Sequence, residues 1–533
     1  MAKRRALMSP SLSGRSAEAV GDEPGRVRAR GFTIVELLIA IVVIGILAAI
    51  VIVGYNGVTK GVATENLKRD LLQASSTVLK QVNNLYTCPA VADLPKGEDT
   101  AYTLICDGGA RTYCIAGTSS NTGVSTFHVT DADGVPKEGA CPEPPAPSLP
   151  SQLAQLPGTG TESGDFLGYA VAVSGASLAV VGAYGDDDRG ADAGAAYVYL
   201  RSGSTWNREA KLTASDGSAG DFFGISVAID AGGTTVVVGA GGAEGGASDG
   251  AAYVFKRVGR AWVQEAKLTA SDAVAGDGFG DGFGGSHSVA ISGNTVTVGA
   301  EAANDGKGAA YVFTRSGSTW TQQARLTASD GAVADAFGSS AAIDGETAVF
   351  GAWGDDGARG SAYVFTRSGS TWSQQAKLTA SDRAVDDYFG YTVTISGDSV
   401  GVSAEGNDDL GFDSGSAYVF TRSGSAWTQQ AKLTASDGTA YDLFGNNVSI
   451  SGDTVVVGAT YDSDLHFYSG SAYVFTRSGS TWTQQAKLTA SDGADYDYFG
   501  SVAISGDVII IGAWASDLMG VDSGTVYHFG VAP

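Results

Sequence analysis

A chain of 533 residues exceeds one ordinary domain and implies at least two. Apolar residues make up 43% of it, enough to bury a core, so wholesale disorder is excluded. Acids outnumber Lys and Arg by 57 to 33, and beyond residue 150 by 43 to 19, a surface that repels phosphate backbones and argues against a nucleic-acid partner.

Residues 1–31 are polar and carry seven Lys or Arg against three acids. Thr33–Val53 then runs for 21 residues with one charge, Glu36, long enough to cross a bilayer as a helix. The basic leader keeps its end cytoplasmic, so the C-terminal bulk is expected outside. An ordinary secretory signal has a shorter apolar core with a cut after it. Here the cut is expected before the span. A carboxylate within a spanning helix costs on the order of 3 kcal/mol, so Glu36 either snorkels to the lipid headgroups or has a partner.

The string Gly31-Phe32-Thr33-Ile34-Val35-Glu36-Leu37-Leu38 resembles the type IV prepilin signature, and the likeness extends over residues 26–60. The resemblance implies that prepilin peptidase cuts after Gly31 and removes residues 1–31. It implies that Phe32 becomes the new N-terminus and is N-methylated. It also implies that Glu36 helps the subunit join other pilin subunits. Pairing of Glu36 with the amine of a neighbour's Phe32 would neutralise two buried charges. The leader departs from the family in its length and its acids.

Beyond the span, Leu67, Leu71, Leu72, Val78, Leu79, Val82 and Leu85 recur near helical spacing. One long helix is therefore expected from Thr33 to about Asn84, loosened at Gly54, Gly57 and Gly61. Strand candidates follow at Tyr102–Cys106, Thr112–Ile115 and Val124–Val129. Cys88, Cys106, Cys114 and Cys141 all lie within 54 residues. An even cluster beside an export signal reads as two disulfides. No CxxC pair is present and His128 is the sole nearby histidine, which disfavours zinc. A long helix with a small stapled sheet is the pattern of a pilin head, an α+β domain over residues 32–141. Four cysteines allow three connectivities. One of them joins Cys106 to Cys114 across Asp107–Tyr113 and leaves Cys88 for Cys141.

Residues 142–150 hold five of the chain's 12 prolines. They read as an extended spacer about 25–30 Å long at ~3.1 Å per residue.

Residues 151–533 repeat. A Phe-Gly or Leu-Gly step ends at Gly168, Gly224, Gly284, Gly338, Gly390, Gly445 and Gly500, at intervals of 52 to 60 residues. Each step leads into an alternating strand such as Ser501–Ile504, a tight turn, and a strand ending in Gly-Ala such as Val455–Ala459. An Asp-rich loop, a third strand such as Ala310–Phe313, and a fourth strand such as Trp482–Thr489 complete the unit. Four antiparallel strands every ~50 residues predict propeller blades. Fourth strands carry Trp206, Trp262, Trp320, Trp372, Trp427 and Trp482, six in all, and the seventh repeat ends at Phe529 without one. Gln152–Leu156 resembles the missing strand. The expectation is an all-β, seven-bladed propeller closed by its own N-terminal segment, which removes two exposed edges. The tryptophans are expected to pack between blades.

These units resemble FG-GAP repeats, the family that forms the propeller head of integrin α subunits. Proline is missing after every Gly-Ala, and short turns such as Ser451-Gly-Asp453 stand where that family has its calcium loop. The family's calcium sites therefore do not carry over. Pairs such as Asp216/Asp221, Asp330/Asp335, Asp382/Asp387, Asp437/Asp442 and Asp492/Asp497, and runs such as Asp186–Asp188, could still offer oxygens to Ca2+. Turn capping and a solubilising rim are the favoured role for them. No resident cofactor or metal is expected.

No GxSxG, HExxH or phosphate loop is present. His287, His466 and His528 fall at unrelated repeat positions. The expectation is a non-enzymatic, membrane-anchored pilin-like subunit that carries a propeller outside the cell for adhesion to a surface, glycan or protein ligand. One rival is a pseudopilin-like component of a type II secretion or DNA-uptake machine. Another is an extracellular propeller enzyme, for which the deviant loop Gly278–His287 of the third repeat is the place to look.

Overall fold

The computed structural model describes residues 148–158, 160–243, 249–282 and 287–532, together with four strands further upstream. Contacts divide the chain into two units, 1–144 and 145–533. In the first, Thr100–Asp107, Thr112–Ser119, Phe127–Thr130 and Lys137–Glu138 form an antiparallel sheet in chain order. These overlap the three expected strands, the third beginning at Phe127 rather than Val124. The register sets Cys106 across from Tyr113 and Cys114 across from Ile105, on neighbouring rungs of the ladder. Gly31, Phe32, Glu36, Cys88, Cys141 and the expected helix lie outside the described residues. Among the described residues no helix is long and apolar enough to cross a membrane.

The second unit is seven four-stranded antiparallel sheets. Blade six shows how sequence makes the element, with strands Asn447–Ser451, Thr454–Ala459, Ser471–Ser478 and Thr481–Leu488. Its second strand, Thr-Val-Val-Val-Gly-Ala, is buried from Val455 onward. A strand covered on both faces by neighbouring blades reads as a continuous apolar run rather than an alternating one. The fourth strand is outermost and exposes Thr481 and Thr483. The first strands line the axis, each against the first strands of its two neighbours, blade seven against blade one.

The ring closes as expected. Blade seven takes Phe499–Ser505, Val508–Ala513 and Thr525–Ala532 from the C-terminus and Ser148–Leu156 as its fourth strand. Val526 pairs with Leu156, Tyr527 with Gln155 and His528 with Ala154. The closing strand begins at Ser148, within the segment read as spacer.

One expectation needs correction. The third Phe-Gly step is Phe279-Gly280 and not the one ending at Gly284. The amide of Gly280 donates to the Gly299 carbonyl, as Gly338 does to Gly351 in blade four, and Phe279 is fully buried like its counterparts. Residues 283–286 lie outside the described set. Six extra residues, Asp281–Ser286, therefore stand between this step and His287.

The six fourth-strand tryptophans sit between blades. Trp482 Nε1 donates to Gln430 of the preceding blade at 2.8 Å, and Trp427 to Gln375 at 2.8 Å. Arg477 covers the Trp482 ring at 5.1 Å.

Candidate binding site at the mouth of the ring

Loops from each fourth strand to the next blade, and from each second strand to the third, emerge on one face of the ring. Their aspartates are engaged in the fold. In each Asp-X-Phe-Gly step the aspartate is buried and accepts from the amide three residues earlier. Asp442 takes Thr439 N–H at 2.6 Å, Asp497 takes Ala494 at 2.8 Å and Asp335 takes Ala332 at 2.6 Å. The aspartate five residues earlier meets a lysine of the following blade: Asp216 with Lys267, Asp330 with Lys377, Asp382 with Lys432 and Asp437 with Lys487. Asp492, at the closing blade, instead accepts from Gln155 and Tyr527.

The acids of the second-to-third-strand loops join the same lysines. Lys487 Nζ stands 2.9, 2.7 and 2.6 Å from Asp437, Asp462 and Asp464. An ammonium thus occupies the point where three carboxylates converge. Lys211 likewise bridges Asp186 and Asp188. Burial pushes the Asp462 carboxyl up, but hydrogen bonds from Lys487 and Ser471 outweigh it and hold the group below the usual range.

The residue between Asp and Phe has a left-handed backbone, with φ of 55° at Phe166, 53° at Phe222 and 51° at Tyr498. Such backbone costs about 1–3 kcal/mol per residue and persists only where surrounding contacts fix it. Here the buried aspartates fix it. The bend brings Phe166 onto Tyr184 at 5.1 Å and Tyr498 flat onto Trp514 at 4.4 Å. Tyr169 meets Tyr184 edge-on at 4.7 Å.

At the mouth of the ring these rings border a cavity of 330 Å3 lined by Tyr169, Tyr184, Tyr391, Tyr461, Trp514 and Glu405, with Asn446 beside them. None of its lining residues is basic. Asn446 Nδ2 donates to Glu405 Oε2 at 2.9 Å. Burial pushes the Glu405 carboxyl up to about 8, and Asp413 adds to the rise. Glu301 is raised to about 6, by burial first and Asp281 second, while Trp353 Nε1 donates to it at 3.3 Å. The loops between second and third strands of blades five, six and seven expose Leu410, Phe412, Leu465, Phe467, Leu518 and Met519.

The sequence carried a signal for this mouth that motif reading missed. The residue after each Gly-Ala, or Ser-Ala in blade five, is Tyr184, Gly241, Glu301, Trp353, Glu405, Thr460 and Trp514 in turn. Flanking strands repeat almost verbatim while this one position changes character in most blades.

The histidines divide differently. His287, flagged in the deviant loop, enters the central channel, a 250 Å3 space lined by the first strands. Its Nδ1 lies 3.4 Å from Asn447 of blade six, and a ring nitrogen bonds the backbone of Val171 in blade one. Burial lowers its pKa to about 4. Its neighbours in the channel are mostly aliphatic, with Thr394 and Ser449 carrying hydroxyls. His466 is exposed at a loop tip, 3.8 Å from Asp495.

His528 is fully buried where other third strands have Val, as at Val254 and Val474. It packs edge-on to Trp206 at 5.6 Å, and neither ring nitrogen has a hydrogen-bond partner among the described residues. Burial, then Arg201, lowers its pKa to about 4. Between roughly pH 6.5 and 4 the unfolded chain therefore binds a proton that the folded chain refuses, and stability falls as pH drops through that window. His528→Val is expected to stabilise the ring by about 1–3 kcal/mol at pH 7 by removing unsatisfied buried nitrogens. Its lead in thermal denaturation should widen at pH 5, and a variant that melts lower at both pH values contradicts the assignment.

Seven antiparallel blades, closed by an N-terminal strand and pinned by repeated Asp-X-Phe-Gly steps, define a β-propeller. The chain belongs to the FG-GAP repeat family, whose model matches residues 150–199, 206–255, 262–313, 320–365, 372–420, 427–475 and 482–529. The first matched unit begins in the closing strand and ends in the third strand of blade one, so repeat and blade are offset by one strand. Residues 26–52 match the prokaryotic N-terminal methylation motif, which points to a type IV pilin-like, membrane-anchored protein processed by prepilin peptidase. Comparison with curated proteins finds no match.

Proposed function

We propose that this chain is a pilin-like subunit that anchors by its N-terminal helix, assembles with other pilin subunits and presents its propeller outside the cell as a binding head for adhesion. The observation that carries the reading is the pairing of an N-terminal methylation motif with a propeller whose loop face converges on one aromatic, acid-lined mouth. Binding rather than catalysis is the proposed role, and the four-stranded sheet between Thr100 and Glu138 is read as part of a pilin head. The four cysteines are read as its two disulfides, and membrane lipid as the environment of the anchor before assembly.

Processing tests the anchor. The mature chain is expected to begin at Phe32, which removes the leader's net charge of +4 and leaves −28 from a total of −24. Gly31→Val should block the cut, because the peptidase must fit a small residue there. Intact-mass measurement of membrane-extracted protein reads both; a retained leader in the parent chain refutes the pilin-like reading. Antibody labelling of intact cells against the propeller tests display.

A further inference from the structure

The mouth cavity combines features that select one ligand chemistry. Five of its lining residues are aromatic: Tyr169, Tyr184, Tyr391, Tyr461 and Trp514. Aromatic faces present negative potential and attract a cation placed over them, most strongly where water is excluded. The carboxylate of Glu405 lies in the same wall, and no basic side chain lines the space. More acids surround the aromatic walls. Asp192 and Asp522 act on Tyr184, Glu301 acts on Tyr391, and Asp413 acts on Glu405. Once Glu405 is ionised, a cage of this kind repels anions and gives a neutral ligand nothing to balance the charge.

Resting on the reading of the propeller as a binding head, we propose that the mouth is an aromatic cage for an organic cation, the Lys or Arg side chain of a protein partner, with Glu405 as its counter-ion. A protein source is favoured by apolar side chains on the loops between second and third strands, Phe412, Phe467 and Met519 among them, which stand 48–59% exposed and suit the apolar core of a protein interface. The acidic surface of this unit disfavours an anionic bilayer as the source.

The groups facing Glu405 set the pH dependence. Asn446 donates to it, Asp413 repels its charge, and Tyr388, Tyr391 and Tyr461 lie within its field. In the empty cage the carboxyl holds its proton up to about pH 8. A cation binds the ionised form, so binding releases a proton, and affinity should fall on the order of tenfold for each pH unit below that point.

The test titrates the full-length, detergent-solubilised protein with Nα-acetyl-lysine amide and Nα-acetyl-arginine amide, followed by ligand-observed NMR and calorimetry. Nα-acetyl-norleucine amide is the uncharged control, and N-acetylglucosamine tests the sugar alternative. At least one basic probe is expected to bind ten times tighter than norleucine amide or the sugar, and more tightly at pH 8.5 than at pH 6.5. Glu405→Gln, close in shape to the protonated acid, should keep the parent's melting temperature at pH 5, weaken the basic probe tenfold or more, and flatten its pH dependence. Trp514→Leu should weaken it as well. Equal binding of norleucine amide, preferential binding of the sugar, an unaffected Glu405→Gln variant, or no binding of either basic probe overturns the cage. Surface labelling of intact cells is read separately. Labelled cells without cation binding refute the cage alone, whereas cation binding by a chain that never reaches the surface refutes the display reading alone.

Discussion

A fragment beginning at Gly160 is expected to aggregate or to melt far below one beginning at Pro145. The missing segment contains Ser148–Leu156, the fourth strand of blade seven. Without it, Thr525–Ala532 becomes an open edge, and the face of blade seven that met Leu156 and Ala154 is uncovered. Several ladder hydrogen bonds are lost, each worth about 1 kcal/mol net. Burial of Leu156, 2% exposed, contributes a further 1.5–3 kcal/mol or so. Leu153 adds little, because it is 49% exposed: alternation along the strand turns Leu156 inward and Leu153 outward. Side chains tie the strand to blade six too, with Gln152 accepting from Ser491 N–H at 3.1 Å and Gln155 donating to Asp492 at 2.8 Å. The total is comparable with the ~5–15 kcal/mol stability of a whole domain. Scanning calorimetry and light scattering on the two fragments decide it. Equal melting temperatures with both fragments monodisperse would show that the closing strand carries no stability.

The same repetition that made the ring legible hid its mouth. Blade count, strand order and closure could be read because every unit spells the same strands and because one strand was missing at the end and spare at the start. Blade three misled because Asp277-Gly-Phe-Gly280 and Asp281-Gly-Phe-Gly284 spell the step twice. Only the ladder bond from Gly280 to Gly299 chooses between them. The calcium question turned on acids that are neighbours in sequence, yet their partner is a lysine on a later strand, Lys487 for Asp437 and Asp462. The cavity was hardest to see. Its residues are spread over more than 300 positions of sequence, from Tyr169 to Trp514, and most of them meet because several repeats deliver the same two positions, after the Phe-Gly step and after Gly-Ala, to the axis. Six tryptophans with an obvious period proved to be staples between blades, whereas Trp514, at a position that is tryptophan in only two blades, borders the mouth.

The junction between blades predicts the sharpest single-residue effect. Gly415 precedes the third strand of blade five with φ of 82°, and a Cβ there would stand 2.0 Å from the Phe444 carbonyl oxygen and 2.5 Å from its nitrogen. Both are backbone atoms of the next blade's Phe-Gly step, bridged to Gly415 and hydrogen-bonded from Phe444 N–H to Ser414 at 3.1 Å. Neither can swing aside like a side chain, so the blades must part. Gly424, in the hairpin that follows, has φ of 63° and open space where its Cβ would go. Gly424→Ala therefore measures left-handed strain alone, about 1–2 kcal/mol. Gly415→Ala adds the collision, for which overpacking of a tight interior suggests 1–3 kcal/mol or more. The second variant is expected to unfold at clearly lower denaturant than the first, with a slope that matches the parent if the ring still unfolds as one unit. A glycine stands at this place in all seven repeats, from Gly194 to Gly524, each with its Cβ position within 2.2 Å of a carbonyl oxygen in the adjoining step. Equal losses for the two variants would mean that the blades can separate at little cost, and the loop face would then be too soft to hold a preformed cage.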